Sequence, residues 1–148
     1  MMRYFTLAEL AKSATASRLG IQNKPDAAAR RALTALVDNI LDPLRTAWGR
    51  PIVVNSGYRC PALNTAVGGA TNSQHTLGEA ADIEDYSRDR VMNARLFQMI
   101  RDMNLPFDQL IYESPNVSGP DWVHVSFGPR HRRQVLRQKI GGGYRSLK

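Results

Sequence analysis

The sequence predicts a single α+β domain, with helices first and a small, mainly antiparallel sheet after them. Three observations point there. Apolar residues recur at three- and four-residue spacing through the first third of the chain, short strand-like runs follow from Ile52 onward, and 148 residues are enough for one domain with a sizeable core. The chain shows neither an internal repeat nor a second-domain boundary, so residues 1–148 are read as one unit ending in a basic tail, 128–148.

The elements follow in order. Thr6-Leu7-Ala8-Glu9 has the capping-box arrangement, which predicts a short helix from Leu7 to about Ser13. From Asp26 to about Trp48, the spacing of Leu33, Leu36, Val37, Ile40, Leu41 and Leu44 predicts a second helix, which Pro43 should kink or divide. Ile52-Val53-Val54 is a buried strand candidate, and Ala81-Asp82-Ile83-Glu84 is a shorter one. Val91 to Met103 reads as a helix with Leu96, Met99 and Ile100 inward. Two adjacent strands should then run over Asp108–Tyr112 and Asp121–Phe127, joined by the turn at Ser114–Pro120. In the tail, Val135–Ile140 and Tyr144–Leu147 read as a hairpin, with Gly141-Gly142-Gly143 supplying positive backbone dihedrals.

Strand periodicity makes the chemistry of two segments explicit. In an extended chain alternate residues share a face. Trp122, His124 and Ser126 therefore point one way and Val123, Val125 and Phe127 the other, which is the natural core face. Asp82 shares a face with Ala80 and Glu84, while Ile83 goes inward. Pairing the two core faces puts Asp82 and His124 on one side, with His75 supplied from the loop before Asp82. Two imidazoles and a carboxylate suit Zn²⁺, and three protein ligands leave a position for water or substrate, the arrangement of a metal-dependent hydrolase. One zinc per chain is expected on His75, Asp82 and His124. Asp121, three residues before the last ligand, is the candidate general base. Its parity is opposite to that of His124, so it reaches the metal only from the turn that Ser118-Gly119-Pro120 announces.

These residues resemble a known family, the zinc D-alanyl-D-alanine carboxypeptidases and phage L-alanyl-D-glutamate endolysins, whose fold is shared with the hedgehog signalling domain. Its members carry a Ser-x-His-x-x-Gly-x-Ala-x-Asp block and a later Glu or Asp-x-x-His block, here Ser73, His75, Gly78, Ala80 and Asp82, then Asp121 and His124. The resemblance runs from about Phe5 to Leu136. It implies a hedgehog/D,D-peptidase-like fold and zinc-dependent hydrolysis of the stem peptide of bacterial peptidoglycan, by a phage or prophage endolysin or a related D,D-carboxypeptidase. Ser56-Gly57-Tyr58-Arg59 looks like the family's arginine motif, which places Arg59 on the substrate near the scissile carbonyl. Ser73 is expected either to brace the metal loop or to touch substrate. Some carboxypeptidase members have a histidine two residues before the catalytic acid, where this chain has Gly119. Carboxypeptidase and endopeptidase activity, and D,D and L,D specificity, both stay open.

Charge adds a second theme. Residues 128–148 hold seven Lys or Arg and no acid, while the other 13 basic residues are matched by 13 acidic ones, so the whole net charge of +7 sits in the tail. Arg130, Arg132, Arg133, Arg137, Lys139, Arg145 and Lys148 make an anionic wall or membrane polymer a candidate partner. No aromatic-interleaved strand or helix-turn-helix pattern favours specific nucleic-acid binding. A non-catalytic zinc-bearing module that uses this tail for polyanion binding is the alternative reading. Cys60 is the single cysteine, which rules out an internal disulfide. The start of the chain lacks the apolar run of a secretory signal. Cytoplasmic synthesis, a monomer, and action on the wall after membrane permeabilisation are the corresponding expectations.

Overall fold

Six strands form one sheet in the order β1-β2-β4-β3-β5-β6, as seen in a computed structural model that describes residues 2–147. The strands are β1 (Ile52–Ser56), β2 (Ala80–Asp85), β3 (Gln109–Glu113), β4 (Trp122–Ser126), β5 (Gln134–Gln138) and β6 (Tyr144–Leu147). The helices are α1 (Leu7–Ala11), α2 (Ala14–Leu19), α3 (Ala27–Leu36), α4 (Asp42–Trp48), α5 (Pro61–Ala66) and α6 (Arg90–Asp102). No described helix is long and apolar enough to cross a membrane.

The helix starts follow the side-chain caps. Thr6 Oγ1 accepts from the Glu9 amide at 3.1 Å, Asp26 Oδ1 from Ala29 at 2.8 Å, and Asp89 Oδ1 from Met92 at 3.0 Å. The first helix is shorter than its pattern suggests, because Ser13 caps a further helix, α2, through the Ala16 amide. The long second helix is divided as expected, but upstream of Pro43: a wide turn over Val37–Leu41 links α3 to α4. Proline offers no amide to the carbonyl four residues back, and a locally widened helix absorbs that loss without turning the chain aside. Leu33, Leu36, Val37, Ile40, Leu41 and Leu44 therefore keep one continuous buried stripe.

Sheet register separates core from cleft. Ile83 pairs with Val123, and Val125 lies between Ala81 and Leu110. These residues join Leu96 and Ile100 of α6 and the α3–α4 stripe in one apolar cluster. Phe127 packs on that cluster only partly buried. The opposite parity, with Asp82 facing His124 and His124 facing Ile111, lies on the other side of the sheet. The mainly antiparallel expectation holds except at one seam. The chain after β4 crosses to the far side of β3, so β5 runs parallel to β3 and carries β6 as an antiparallel edge. The expected hairpin is present, with φ of +93°, +106° and +79° at Gly141, Gly142 and Gly143. It is an integral part of the sheet and so not a loose tail.

Candidate metal centre

His75, Asp82 and His124 converge on the face of the sheet away from the core. Asp82 and His124 are direct cross-strand neighbours of β2 and β4, and such neighbours project to the same side. His75 arrives on a tight turn, Gln74–Leu77, that Ser73 opens by accepting from the His75 amide at 3.2 Å. Gly78 closes it at φ +77°, where a Cβ would lie 2.5 Å from the Ala29 carbonyl oxygen of α3. Only glycine meets both demands, which gives the motif position its physical reason.

The donor atoms of the three side chains lie within 4.8 Å of one another. Asp82 Oδ1 sits 3.1 Å from His124 Nδ1 and 3.4 Å from His75 Nε2. The other His75 nitrogen, Nδ1, donates to the Gly57 carbonyl at 2.7 Å, which fixes the ring orientation and makes Nε2 the nitrogen turned toward the carboxylate. His124 Nε2 is buried with no hydrogen-bond partner. Burial opposes ionisation of Asp82, but the two imidazoles outweigh it and hold its pKa below the ordinary carboxylate range. Two imidazoles fixed around one ionised carboxylate, with a ring nitrogen left unsatisfied, fit a divalent cation of the zinc type.

The arginine motif is tied to the same turn. The Arg59 amide donates to the His75 carbonyl at 3.0 Å, and Arg59 Nη2 reaches Ser73 Oγ at 3.3 Å. Arg59 Nε is buried without a partner. Burial pushes the guanidinium pKa down, against the charge of Asp82. Ser73 thus serves the loop and the arginine at once. Both residues line an open cleft of about 780 Å³ whose wall also includes the three metal-ligand candidates.

Asp121 departs from its expected place. Its side chain is half exposed, with Oδ1 3.6 Å from Arg90 Nη2, and it is not among the residues lining the cleft. Parity is the reason: Trp122 and His124 take the cleft face. Two hydrogen bonds hold the turn in this position: the Asp121 amide donates to the Glu113 carbonyl at 3.0 Å, and its carbonyl accepts from Asn93 at 3.1 Å. Gly119 packs against the Arg90 backbone so closely that a Cβ there would collide with the Arg90 carbonyl, so the histidine of some family members does not fit at this position.

Sequence reasoning missed three features of this cleft. Glu113 lines it from β3, Tyr144 from β6, and Arg130 and Arg132 from the segment before β5. Arg132 holds the fully buried Asp108 through two contacts of 2.9 Å, and Asp108 accepts from Gln74, next to His75, at 2.9 Å. Alternation along Gln109–Glu113 carried a signal for Glu113. The partner strand and its register, which would have shown the shared face, are not written in local periodicity.

Comparison with known proteins agrees with this geometry. A family model described as Peptidase M15 matches residues 3–126. A zinc D-Ala-D-Ala carboxypeptidase from Streptomyces albus G is 44% identical over 61 residues, which make up 40% of this chain and 24% of that relative. The aligned stretch thus spans about a quarter of the relative's length, and β5 and β6 lie beyond the family match.

Proposed function

This chain belongs to the peptidase M15 family, and from that premise we propose that it is a zinc metallopeptidase cleaving a peptide bond in the stem peptide of bacterial peptidoglycan. The observation that carries the reading is the convergence of His75, Asp82 and His124 in an open cleft beside Arg59. Zinc held by those three side chains supplies Lewis acidity, lowering the pKa of water toward about 7 and polarising a carbonyl. The Gly57 carbonyl holds the His75 ring in the ligating orientation. Arg59 orients the substrate: its partly desolvated fork has an unpaired Nε and suits a peptide carbonyl or carboxylate. Ser73 holds that fork at a fixed distance from the metal turn.

The finer assignment is a phage or prophage endolysin that reaches the wall after membrane permeabilisation. The carboxypeptidase name of the Streptomyces relative supports the stem-peptide substrate. A basic hairpin at the cleft suits a polyanionic wall. Digestion of purified peptidoglycan by zinc-loaded and chelated protein, followed by mass analysis, tests both levels. Loss of a terminal D-alanine identifies a carboxypeptidase, and an internal cut identifies an endopeptidase. If zinc-loaded protein releases no fragment, the peptidase reading fails.

A further inference from the structure

Glu113 stands apart from the other buried acids of the molecule. Asp42 accepts from the Arg3 and Tyr4 amides, Glu84 from Asn55, Arg88 and Asn93, Asp85 from Trp48 and Arg50, and Asp108 from Gln74 and Arg132. Glu113 as a residue is only 8% exposed, and no hydrogen bond or ion pair to its carboxylate is found among the described residues. Its oxygens are not among the enclosed side-chain atoms left without a partner, so they meet the solvent of the cleft and are not sealed in the core. Glu113 pairs with Trp122 across β3 and β4, two residues along from the Ile111–His124 pair, so it shares the cleft face with His124 and lines the cleft directly. Burial pushes its pKa up; the charge of His124 opposes that shift and the charge of Asp82 adds to it.

We propose that Glu113, rather than Asp121, is the proton-transfer residue of the cleft, an assignment that rests on the peptidase reading above. Glu113 takes one proton from the attacking water as its oxygen bonds to the peptide carbonyl carbon. The C–N bond then breaks, and the same proton passes from Glu113 to the leaving nitrogen, which restores the carboxylate. The second proton of the water stays with the new carboxyl group until it ionises. One water is consumed and one amine and one acid are formed. Asp121, by contrast, is held beside Arg90 and is not among the residues that line the cleft.

Three variants, Glu113→Gln, Glu113→Asp and Asp121→Asn, test this against a zinc-loaded wild type on a defined stem peptide. Glu113→Gln is expected to keep zinc under chelator competition and to unfold at an unchanged or higher temperature, while kcat falls about 10²-fold or more with little change in KM. The rise of kcat/KM on the acid side of its pH profile should vanish with it. Glu113→Asp should restore part of that limb at a lower rate. The loss in Asp121→Asn should be at least tenfold smaller than in Glu113→Gln. The assignment is overturned if Glu113→Gln cleaves at the wild-type rate, if it loses its zinc, or if Asp121→Asn shows the larger loss. Wild-type protein that holds zinc and cleaves nothing overturns the peptidase reading itself, and the role of Glu113 with it.

Discussion

Asp82 is the residue on which the centre turns. Its Oδ1 lies within 3.4 Å of a ring nitrogen of each imidazole, so it is the carboxylate around which they are arranged. Asp82→Ala and His124→Ala should each lose the metal, measured as zinc per chain after mild chelator competition, and should lose stability because ligand binding is coupled to folding. Full zinc occupancy in either variant would mean that the ligands lie elsewhere. Arg59→Lys should keep zinc but lower kcat/KM by about tenfold or more, ~1.4 kcal/mol, because an ammonium cannot reproduce the planar fork. A lysine variant with wild-type kcat/KM would reduce Arg59 to a brace for Ser73. At this scale the sequence was most legible where one segment carried the chemistry. His75, Gly78 and Asp82 belong to one contiguous block, and the parity of His124 followed from alternation alone. Glu113 is eleven residues from His124, and only the register of β3 against β4 brings them to one face.

Among the elements, the segment leading into β5 has the clearest mechanical role. Arg132 donates to Asp108 from its amide and its guanidinium, and Asp108 in turn receives the Gln74 amide at the base of the metal turn. Burial works against the charge of Asp108, yet these donors prevail and hold its pKa down to about 2. An unfolded aspartate titrates near about 3.9, so between those values the unfolded chain binds more protons and stability rises with pH. The contribution is complete above the unfolded value and disappears as pH falls through that window to about 2. Asp108→Asn should therefore cost about 2 kcal/mol at neutral pH and flatten the acid limb of a stability profile taken by urea unfolding from pH 2 to 7. Parallel profiles for variant and wild type would show that the pair adds nothing. None of this brace was legible in sequence. The helices and hairpin declare themselves through caps, apolar spacing and glycines, whereas the parallel β3–β5 seam depends on where the chain crosses after β4, which no local pattern encodes. Nor does helical spacing distinguish the wide turn at Val37–Leu41 from regular helix, since both bury the same stripe.

Across the whole molecule, the basic excess and the cleft meet in the terminal hairpin. Its two faces differ. Gln138 and Tyr144 form one cross-strand pair and face the cleft, while the neighbouring pair, Arg137 and Arg145, points the other way. Arg132 is committed to Asp108 and Arg133 lies over the Phe107 ring, so the positive charge available to a polymer includes exposed residues such as Lys139 and Arg145. We expect Lys139→Gln combined with Arg145→Gln to weaken co-sedimentation with purified walls and to flatten its dependence on salt, because ionic screening acts most strongly on exposed charges. Cleavage of a short soluble stem peptide should persist, since neither side chain lines the cleft. Truncation after Arg133 should behave differently: it removes Leu136, Gln138 and Tyr144 from the cleft wall and the outer two strands from the sheet, so soluble-peptide cleavage should fall along with wall binding. Equal wall binding by the double variant and wild type across the salt series would leave the basic surface without a role in wall recognition, while a truncated protein that cleaves soluble peptide at the wild-type rate would show that the hairpin is dispensable to the site it borders.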